Sequence, residues 1–481
     1  MIFRIERRVF LFVYVLQNVF LSKCPLKKFP QKIASNFVKC KYHLNTVTIM
    51  DANSLRTHRF KAQLNKFSGI ISRQFSRTKQ RLIKEMIYGI QASKDVKLSN
   101  ISRSLQEDIP LIKTEDRLSR NLADEDFTTA INEQILRLGD DKITSDMVIA
   151  IDPGDIMKPY AKAMENLCGI YDGSAHQKAR GYHLCQVTAA NLEHNKIVPL
   201  YSEAFSSDEE GYVSVSEKMK DIIGKVKNYI GTAGTWAVDR QGDDINLFDF
   251  FDAEQLSFVT RLKLNRWLYT HNKNGGVVPV QAERLHKRMS LNHRAQITKI
   301  DDGKETIINL QFGITKVAIY DRPQKWYYAV VITGFGAHPM ILLTNIEQVN
   351  TRDSKSIYKI VEIYLTRWKC DECYRYIKQS YNLEDIRVRS YTAIRNITVM
   401  VNAIAYFTSI YMGLSLKLKI MVQKIFILSK RFFGIPSFFN YAMADGIFEL
   451  LKKDNIALQE IAYKGKTGIS TDAIQLDLFP N

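Results

Sequence analysis

The sequence predicts a mixed α/β fold, in which a β-sheet core carries an inserted all-β subdomain and lies between two helical regions. Three patterns predict it: a helical, basic pattern from about residue 53 to 126, short β-rich runs between residues 147 and 344, and a long helical pattern from residue 356. Their order divides the chain into six predicted segments, at residues 1–50, 51–140, 141–264, 265–352, 353–415 and 416–481.

The composition indicates a polyanionic partner. The chain has 481 residues, 46% of them hydrophobic, so it can bury a sizeable core. Lys and Arg total 68 against 50 Asp and Glu, which gives a formal net charge of +18. Because such an excess adds nothing to the fold itself, we expect a nucleic acid partner.

Cysteine usage and hydropathy indicate the compartment. Six cysteines in so long a chain do not form a disulfide framework, and Cys370 and Cys373 are interpreted as helix residues one turn apart. The apolar run from Val9 to Leu21 is short for a membrane span, and it fits a weak signal peptide, an amphipathic helix or an extension translated from an upstream start. We favour the extension, and we expect a cytoplasmic protein with no stable membrane association.

Residues 51–140 are predicted to form a helical DNA-binding domain. Cations crowd one part of it: Arg73, Arg77, Lys79, Arg81 and Lys84. A second helix is predicted from Leu98 to Leu105, and Thr114 is predicted to cap the start of a third. Short helices with clustered cations favour DNA binding. A plain helical bundle with a solvated basic face is the alternative.

Residues 141–264 are predicted to form the first part of the core. Three β-rich runs follow one another at 147–152, 182–191 and 197–205, and then come a helix at 215–230, a strand at 235–239, a short helix at 246–251 and a strand at 257–262. Short connections favour antiparallel strands first and parallel crossovers afterwards. This is the order of an RNase H-like sheet.

The remaining segments complete the predicted domains. Residues 265–352 carry further strand patterns and are predicted to be an all-β insertion, and a long helix follows from Ser356 to about Tyr381 in the second part of the core, 353–415. Residues 416–481 are predicted to be a helical region that ends in a polar tail.

Acidic residues end two of the predicted strands. Asp152 is predicted to close the first strand, with Asp155 three residues on in a turn, and Asp239 closes the fourth strand. Cleavage and joining of phosphodiesters is commonly performed with two divalent metals, which carboxylates on rigid elements can hold. Asp155 could replace or assist Asp152, and the sequence leaves that choice open.

The third acid is predicted on the long helix. Tyr364, Arg367, Asp371 and Lys378 fall within about 60° of one another around a helix of about 100° per residue, so they share one stripe. Glu372 lies about 100° from Asp371. A carboxylate between cations suits metal and phosphate binding, whereas i,i+4 ion pairing on a solvated face is the structural alternative.

These residues carry a resemblance to a known family. The helix YLTRWKCDECYRYIK has the spacing Tyr364-x-x-Arg367-x-x-x-Asp371-x-x-x-x-x-x-Lys378, which resembles the Y-R-E-K signature of bacterial insertion-sequence DDE transposases, the insertion-sequence-four-like family. The runs AIDPGD and VDRQGDD resemble the first and second aspartate motifs of the same family. The likeness covers roughly residues 146–402.

The resemblance implies a DNA transposase that binds terminal inverted repeats and catalyses cut-and-paste transposition into target DNA. It implies Asp152, Asp239 and Asp371 as ligands of two Mg²⁺ ions per site, for which Mn²⁺ can substitute. It also implies DNA contacts by Tyr364, Arg367 and Lys378, which Arg375, one turn away, could join. A homodimer in the DNA complex and a place in the bacterial nucleoid are further expectations.

One departure leaves an alternative open. The family has Glu where this chain has Asp371, and Glu372 is adjacent. Helix geometry favours Asp371 as the third acid, and side-chain length favours Glu372. Two other functions also stay open: a catalytically inactive, transposase-derived DNA-binding protein and an RNase H-like recombination nuclease.

Overall fold

The structure, a computed structural model, describes residues 52–172, 177–193, 196–272, 274–301, 304–413, 425 and 440–452. The predicted N-terminal extension at 1–50 and most of the predicted C-terminal region at 416–481 lie outside the described residues. The described residues from Arg56 onward belong to one compact unit.

Between residue 52 and the sheet lie five helices: α1 (Ala52–Ser72), α2 (Arg77–Ser93), α3 (Leu98–Leu105), α4 (Leu111–Asp124) and α5 (Thr128–Gly139). The Ser76 hydroxyl caps α2 by accepting a hydrogen bond from the Lys79 backbone N–H. The prediction that Thr114 caps α4 is wrong, because α4 begins directly after Pro110, whose fixed φ suits a helix start. The Thr114 hydroxyl instead donates to the Glu107 carboxylate at 2.7 Å.

An ion network holds these helices together. The buried Glu85 of α2 accepts from Arg81 at 2.6 Å and from Arg117 of α4 at 2.5 Å. Glu107, in the α3–α4 connection, accepts from the same two arginines at 2.7 and 2.8 Å. Part of the basic cluster therefore has a structural partner. DNA binding by this region stays a prediction.

The sheet contains the following described strands: β1 (Val148–Met157), β2 (Cys168–Asp172), β3 (Gln177–Ala190), β4 (Ile197–Phe205), β5 (Thr235–Val238), β6 (Phe258–Arg261), β7 (Trp267–His271), β8 (Val277–Gln281), β9 (His293–Asp301), β10 (Lys304–Ile319), β11 (Arg322–Thr333) and β12 (Met340–Thr344). Its order is β2-β3-β1-β5-β6-β12-β11-β10-β7-β8, with β4 paired to β3 and β9 to β10. Helix α6 (Val215–Ile230) connects β4 to β5, and α7 (Ile245–Ala253) connects β5 to β6.

The predicted change of strand direction is confirmed. β1, β3 and β4 pair antiparallel, whereas β5 runs parallel to β1 and β6 runs parallel to β5. The helical connections α6 and α7 permit the parallel pairs, because a crossover needs a dozen or more residues to return to the same sheet edge. The result is a mixed sheet flanked by helices.

The predicted insertion joins the same sheet. β12 pairs with β6, so the strands between residues 267 and 344 continue the core sheet rather than forming a sheet of their own. The strand patterns predicted within 265–352 include two, at 306–312 and 316–319, that form the single long strand β10. The sequence analysis missed β2, β7 and β8, which have five residues each.

Helix α8 (Ser354–Ser380) packs across the sheet, close to the predicted bounds. Asp353 caps it by accepting from the backbone N–H groups of Lys355 and Ser356. Its first half buries Ile357, Ile360 and Val361 in one apolar cluster with strand residues. Its second half enters the main core.

Two more helices complete the described structure, α9 (Tyr391–Ser409) and α10 (Asn440–Lys452). α9 is buried along most of its length against β4 and the N-terminal helices. No helix in the described part of the chain is long and apolar enough to cross a membrane.

Candidate active site

Asp152 and Asp239 lie side by side on parallel strands. Ile151 of β1 pairs with Val238 of β5, so the next residue on each strand is an aspartate at the same edge. Such an edge is where ligands commonly bind in parallel sheets. The placement agrees with the prediction that these two acids converge.

β1 continues past Asp152. The prediction that Asp152 closes the strand is wrong, because β1 pairs with β3 as far as Met157. The prediction that Asp155 lies in a turn is also wrong, since it lies within β1 opposite His183. Its carboxylate is 3.0 Å from His183 Nδ1. An odd separation along a strand puts the Asp155 side chain on the other face from Asp152.

A tight turn fixes Asp239. Its carboxylate accepts a hydrogen bond from the Gln241 backbone N–H at 2.8 Å and so caps the short 3₁₀ helix Arg240–Gly242. A Cβ at Gly242 would lie 2.2 Å from a methyl group of Val238, so the turn requires glycine. Asp243 is buried and binds Arg266 at 2.7 Å, which makes this second acid of the motif structural.

Helix α8 brings Asp371 and Arg367 to the same place. Arg367 Nη1 lies 2.8 Å from Asp371 Oδ1 and 3.4 Å from Asp152 Oδ1. The guanidinium also lies over the Tyr364 ring, 5.7 Å from its centroid. The Arg367 side chain is 10% exposed, against 24% for Asp152 and 36% for Asp371. We call Asp152, Asp239, Asp371 and Arg367 the carboxylate cluster.

The cluster is short of positive charge. Burial and the nearby Asp371 and Asp239 carboxylates raise the pKa of Asp152 to about 7, against the opposing effect of Arg367. Burial also raises the pKa of Asp371, and Asp239 adds to this while Arg367 opposes it. The three carboxylates thus repel one another, and a single guanidinium is bonded to two of them.

Tyr374 holds β1 in place beneath the cluster. Its hydroxyl lies 2.9 Å from the Asp152 carbonyl oxygen and 2.8 Å from that of Leu184 on β3, and it can donate to either. A Cβ at Gly154 would lie 3.2 Å from the Tyr374 ring, so the small residue lets the ring approach the strand. In the sequence, Tyr374 gave only the signal of a buried helix face.

Glu372 points away from the cluster. It lies 3.3 Å from Arg375, whose side chain is 64% exposed, whereas Asp371 pairs with Arg367. The rotation of α8 against the sheet therefore brings Asp371, and not Glu372, to Asp152. Arg375 pairs with Glu372 and acts on the cluster through its charge, which opposes the rise in the pKa of Asp371.

The other predicted DNA contacts lie at the margins of the cluster. Lys378 donates to the Asp155 carbonyl oxygen and pairs with Glu384 at 3.2 Å. Tyr364 is buried, which raises its pKa, and the charge of Arg261, a residue that the sequence analysis missed, opposes that rise. Arg261 ends β6, next to β5, so a cation at the end of a neighbouring strand was the available signal.

The carboxylates of the cluster are suitable ligands for Mg²⁺, but they are not arranged around a metal ion. Carboxylate oxygens are the hard ligands that Mg²⁺ prefers. Among the described residues, however, no group of three or more His, Cys, Asp or Glu side chains is arranged to hold a metal ion. Arg367 lies between Asp152 and Asp371, where it takes the place of a cation. In the part of the chain that the structure describes, its buried Nε atom has no hydrogen-bond partner.

Comparisons with known proteins give a weak likeness to solved structures. No protein-family model matches the chain, and no curated protein is significantly similar to it in sequence. Among solved structures, the chain is similar to the cryo-EM structure of a piggyBac transposase synaptic complex with hairpin DNA, at a TM-score of 0.41 and 10% identity. The match covers 88% of this chain and 84% of that chain. A likeness at this level does not establish a shared fold.

Proposed function

We propose that this chain is a DNA transposase of an insertion sequence, which binds terminal inverted repeats and performs metal-dependent cleavage and strand transfer. One observation carries the proposal. Three carboxylates from β1, the end of β5 and α8 meet at one sheet edge, where burial and the two neighbouring carboxylates raise the pKa of Asp152. Perturbed carboxylates at a strand edge are typical of catalytic sites.

Asp152, Asp239 and Asp371 would hold Mg²⁺, two ions per site, with Mn²⁺ as a substitute. Bound there, the ions would activate the attacking oxygen and stabilise the leaving oxygen of a phosphodiester. Metal binding requires Arg367 to release at least one carboxylate, because its guanidinium lies between Asp152 and Asp371.

The released Arg367 has a second task in this proposal. Its Nε is without a partner among the described residues, and the guanidinium can form paired hydrogen bonds to phosphate oxygens. Arg261 and Lys378 are the neighbouring cations for the rest of the DNA strand. Tyr364 supports Arg367 from below, and Tyr374 keeps the Asp152 backbone fixed.

The remaining parts of the proposal follow from the chain's architecture. The order β4-β3-β1-β5-β6, antiparallel and then parallel, supports an RNase H-like core. The net charge of +18 supports DNA as the partner. The helical region at 51–140 would bind the terminal repeats, a homodimer would hold two ends, and the bacterial nucleoid would be the place of action.

The test is DNA nicking by purified full-length protein. Supercoiled plasmid that carries the sequences flanking the reading frame is incubated with Mg²⁺, with Mn²⁺ or with a chelator. We expect nicking only with metal, and we expect Asp152→Asn, Asp239→Asn and Asp371→Asn each to reduce the rate by about a thousandfold, since each removes several kcal/mol of charge stabilisation.

Glu372→Gln is the matched control, because it neutralises the adjacent acid of α8 that lies outside the cluster. Its nicking rate should stay within about twofold of the parent, well under 1 kcal/mol. Loss of nicking in Glu372→Gln with normal nicking in Asp371→Asn would reverse the assignment of the third acid. Metal-independent nicking that persists in all three Asn variants would refute the proposed metal-dependent activity.

A second function is favoured by the position of Arg367. If the guanidinium never leaves the carboxylates, the chain is a DNA-binding protein without chemistry, derived from a transposase. Specific binding to the flanking repeats without metal-dependent nicking would support it. Direct Mn²⁺ binding, measured by electron paramagnetic resonance and lost in Asp152→Asn, would exclude it.

A further inference from the structure

The far end of the sheet has one open face rich in aromatic side chains. In β7, Leu268 and Thr270 point into the protein, whereas Trp267, Tyr269 and His271 alternate with them. The same face of the adjoining strands carries Tyr320, directly after β10, and Trp326 and Tyr328 of β11. We call these six residues the aromatic face: Trp267, Tyr269, His271, Tyr320, Trp326 and Tyr328.

The rings of the aromatic face are arranged in flat pairs. Tyr269 and Tyr320 stack with centroids 5.0 Å apart and planes 18° apart. His271 and Trp326 stack at 4.4 Å and 24°. Trp267 lies 6.4 Å from Tyr320 and, like it, is 47% exposed. A monomeric protein seldom exposes large rings side by side without a use for them.

Strand register places a small residue between two of the rings. Ala318 of β10 pairs with Tyr269 of β7 on one side and with Trp326 of β11 on the other. The small alanine is fully buried between the two rings. The small side chain of Ala318 leaves room for the rings on the neighbouring strands, and Trp267 and Tyr320 remain 47% exposed.

The charge of the aromatic face suits an anion. β7, β8 and β11 contain no Asp or Glu, and Asp321, directly after Tyr320, is the acid whose charge acts on Tyr269. Lys316 of β10 lies over the Tyr328 ring, with its Nζ 5.5 Å from the centroid. Flat rings interspersed with a cation are the combination that single-stranded nucleic acids require, because each base offers a face for stacking and each phosphate a negative charge.

The aromatic face lies on the same side of the sheet as α8. Phe312 of β10 and Val330 and Ile332 of β11 pack in the cluster that buries the first half of α8. Lys316 and Trp326 continue the same rows of alternating residues toward the other end of those strands. A DNA strand that leaves α8 along this side of the sheet would reach the aromatic face.

We propose that the aromatic face binds single-stranded DNA by stacking unpaired bases on Tyr320, Trp267 and Trp326. The inference rests on the proposed function for the source of that strand, which is DNA opened by cleavage, but not for the surface itself. The acid-poor, lysine-bearing composition favours DNA over a second copy of this chain as the occupant.

The test measures the affinity of full-length protein for fluorescein-labelled oligothymidylate by anisotropy, with a chelator present so that no cleavage occurs. We expect Trp267→Ala and Tyr320→Ala each to weaken binding about tenfold, the usual effect of removing one stacking ring. Binding to duplex DNA of the same length should change less than twofold. Trp267→Tyr, which retains a ring, should bind nearly as the parent does.

Tyr171→Ala is the matched control, since Tyr171 is 57% exposed on β2 at the opposite end of the sheet. It should leave oligothymidylate binding unchanged. Oligothymidylate should also quench tryptophan fluorescence in a Trp368→Phe background, because Trp236 is fully buried and Trp267 is exposed. The Trp267→Tyr change should remove part of that quenching.

Several outcomes would overturn the inference. They are unchanged binding in the Ala variants, equal loss of duplex binding, tighter binding of oligouridylate than of oligothymidylate, or a shift in sedimentation that marks the face as a contact between copies. The proposed function is tested separately. A protein that binds oligothymidylate through these rings but never nicks DNA would support single-strand binding by the aromatic face and contradict the transposase activity.

Discussion

Two groups of charged side chains, one buried and one half-buried, lie on neighbouring parts of the same sheet and differ in their balance of positive and negative charge. Glu203 of β4 is 3% exposed and is bonded to Lys218 at 2.5 Å, Arg395 at 3.3 Å and the Tyr201 hydroxyl at 2.6 Å. Burial alone would raise the pKa of Glu203, but Lys218 and Lys225 hold it below its usual value. In the carboxylate cluster, burial and like charge raise the pKa of Asp152 to about 7.

The difference separates structure from function. A buried carboxylate with enough cations stabilises the fold and has no charge left for a ligand. A group of carboxylates with too few cations destabilises the fold until a cation arrives. Glu203 therefore belongs to the first kind and Asp152 to the second.

The largest effect on stability is expected at Glu203. Glu203→Gln leaves Lys218 and Arg395 without their buried anion, so the free energy of unfolding should fall by about 3–5 kcal/mol in chemical denaturation. Glu217→Gln is the control, because Glu217 lies on the exposed side of α6 and pairs with Lys220. It should cost less than about 1 kcal/mol. Equal effects of the two changes would show that the buried ion pairs of Glu203 stabilise the fold no more than an exposed pair does.

Divalent metal should stabilise the folded protein through the carboxylate cluster and not through Glu203. If Mg²⁺ or Mn²⁺ relieves the repulsion in the carboxylate cluster, the free energy of unfolding should rise by about 2.7 kcal/mol at a metal concentration 100-fold above Kd. Thermal melting with and without a chelator measures this. Asp152→Asn should abolish this metal-dependent rise in stability, and Glu203→Gln should leave it unchanged. A metal effect that persists in Asp152→Asn would place the ion elsewhere.

The pH dependence of the two groups should have opposite signs. The folded-state pKa of Glu203 is lowered, so its contribution is present above the unfolded pKa and is lost as the pH falls through the folded value. The folded-state pKa of Asp152 is raised to about 7, so its protonated form is favoured at low pH and stability is lost as the pH rises toward 7.

Denaturation of metal-free protein between pH 4 and pH 8 tests this contrast, a range that spans the usual and the raised carboxyl pKa. Asp152→Asn should gain stability relative to the parent as the pH rises. Glu203→Gln should lose least, relative to the parent, at the acidic end. A parallel response of both variants would show that Asp152 is not repelled by its neighbours.

The candidate site could be predicted from sequence only in part. Strand alternation placed Asp152 and Asp239 on neighbouring strands, and helical spacing placed Arg367 and Asp371 on one stripe, because both signals are local. Arg261 and Tyr374 were missed as parts of the site, since their roles depend on which strand lies beside β5 and on how closely α8 approaches β1.

The choice between Asp371 and Glu372 likewise depended on the rotation of α8 about its axis. Local spacing defined the helix, but only packing of Ile357, Ile360 and Val361 on the sheet decided which acid faced Asp152.

The sequence by itself determined most helices and strands of the described core and the change from antiparallel to parallel pairing, because periodicity and connection length are properties of short stretches of chain. Only the tertiary structure decided that β12 pairs with β6, that β1 runs on past Asp152 and that Glu203 meets its cations. These are pairings between distant residues, and the free energy that selects them comes from burial and charge balance that no local pattern records.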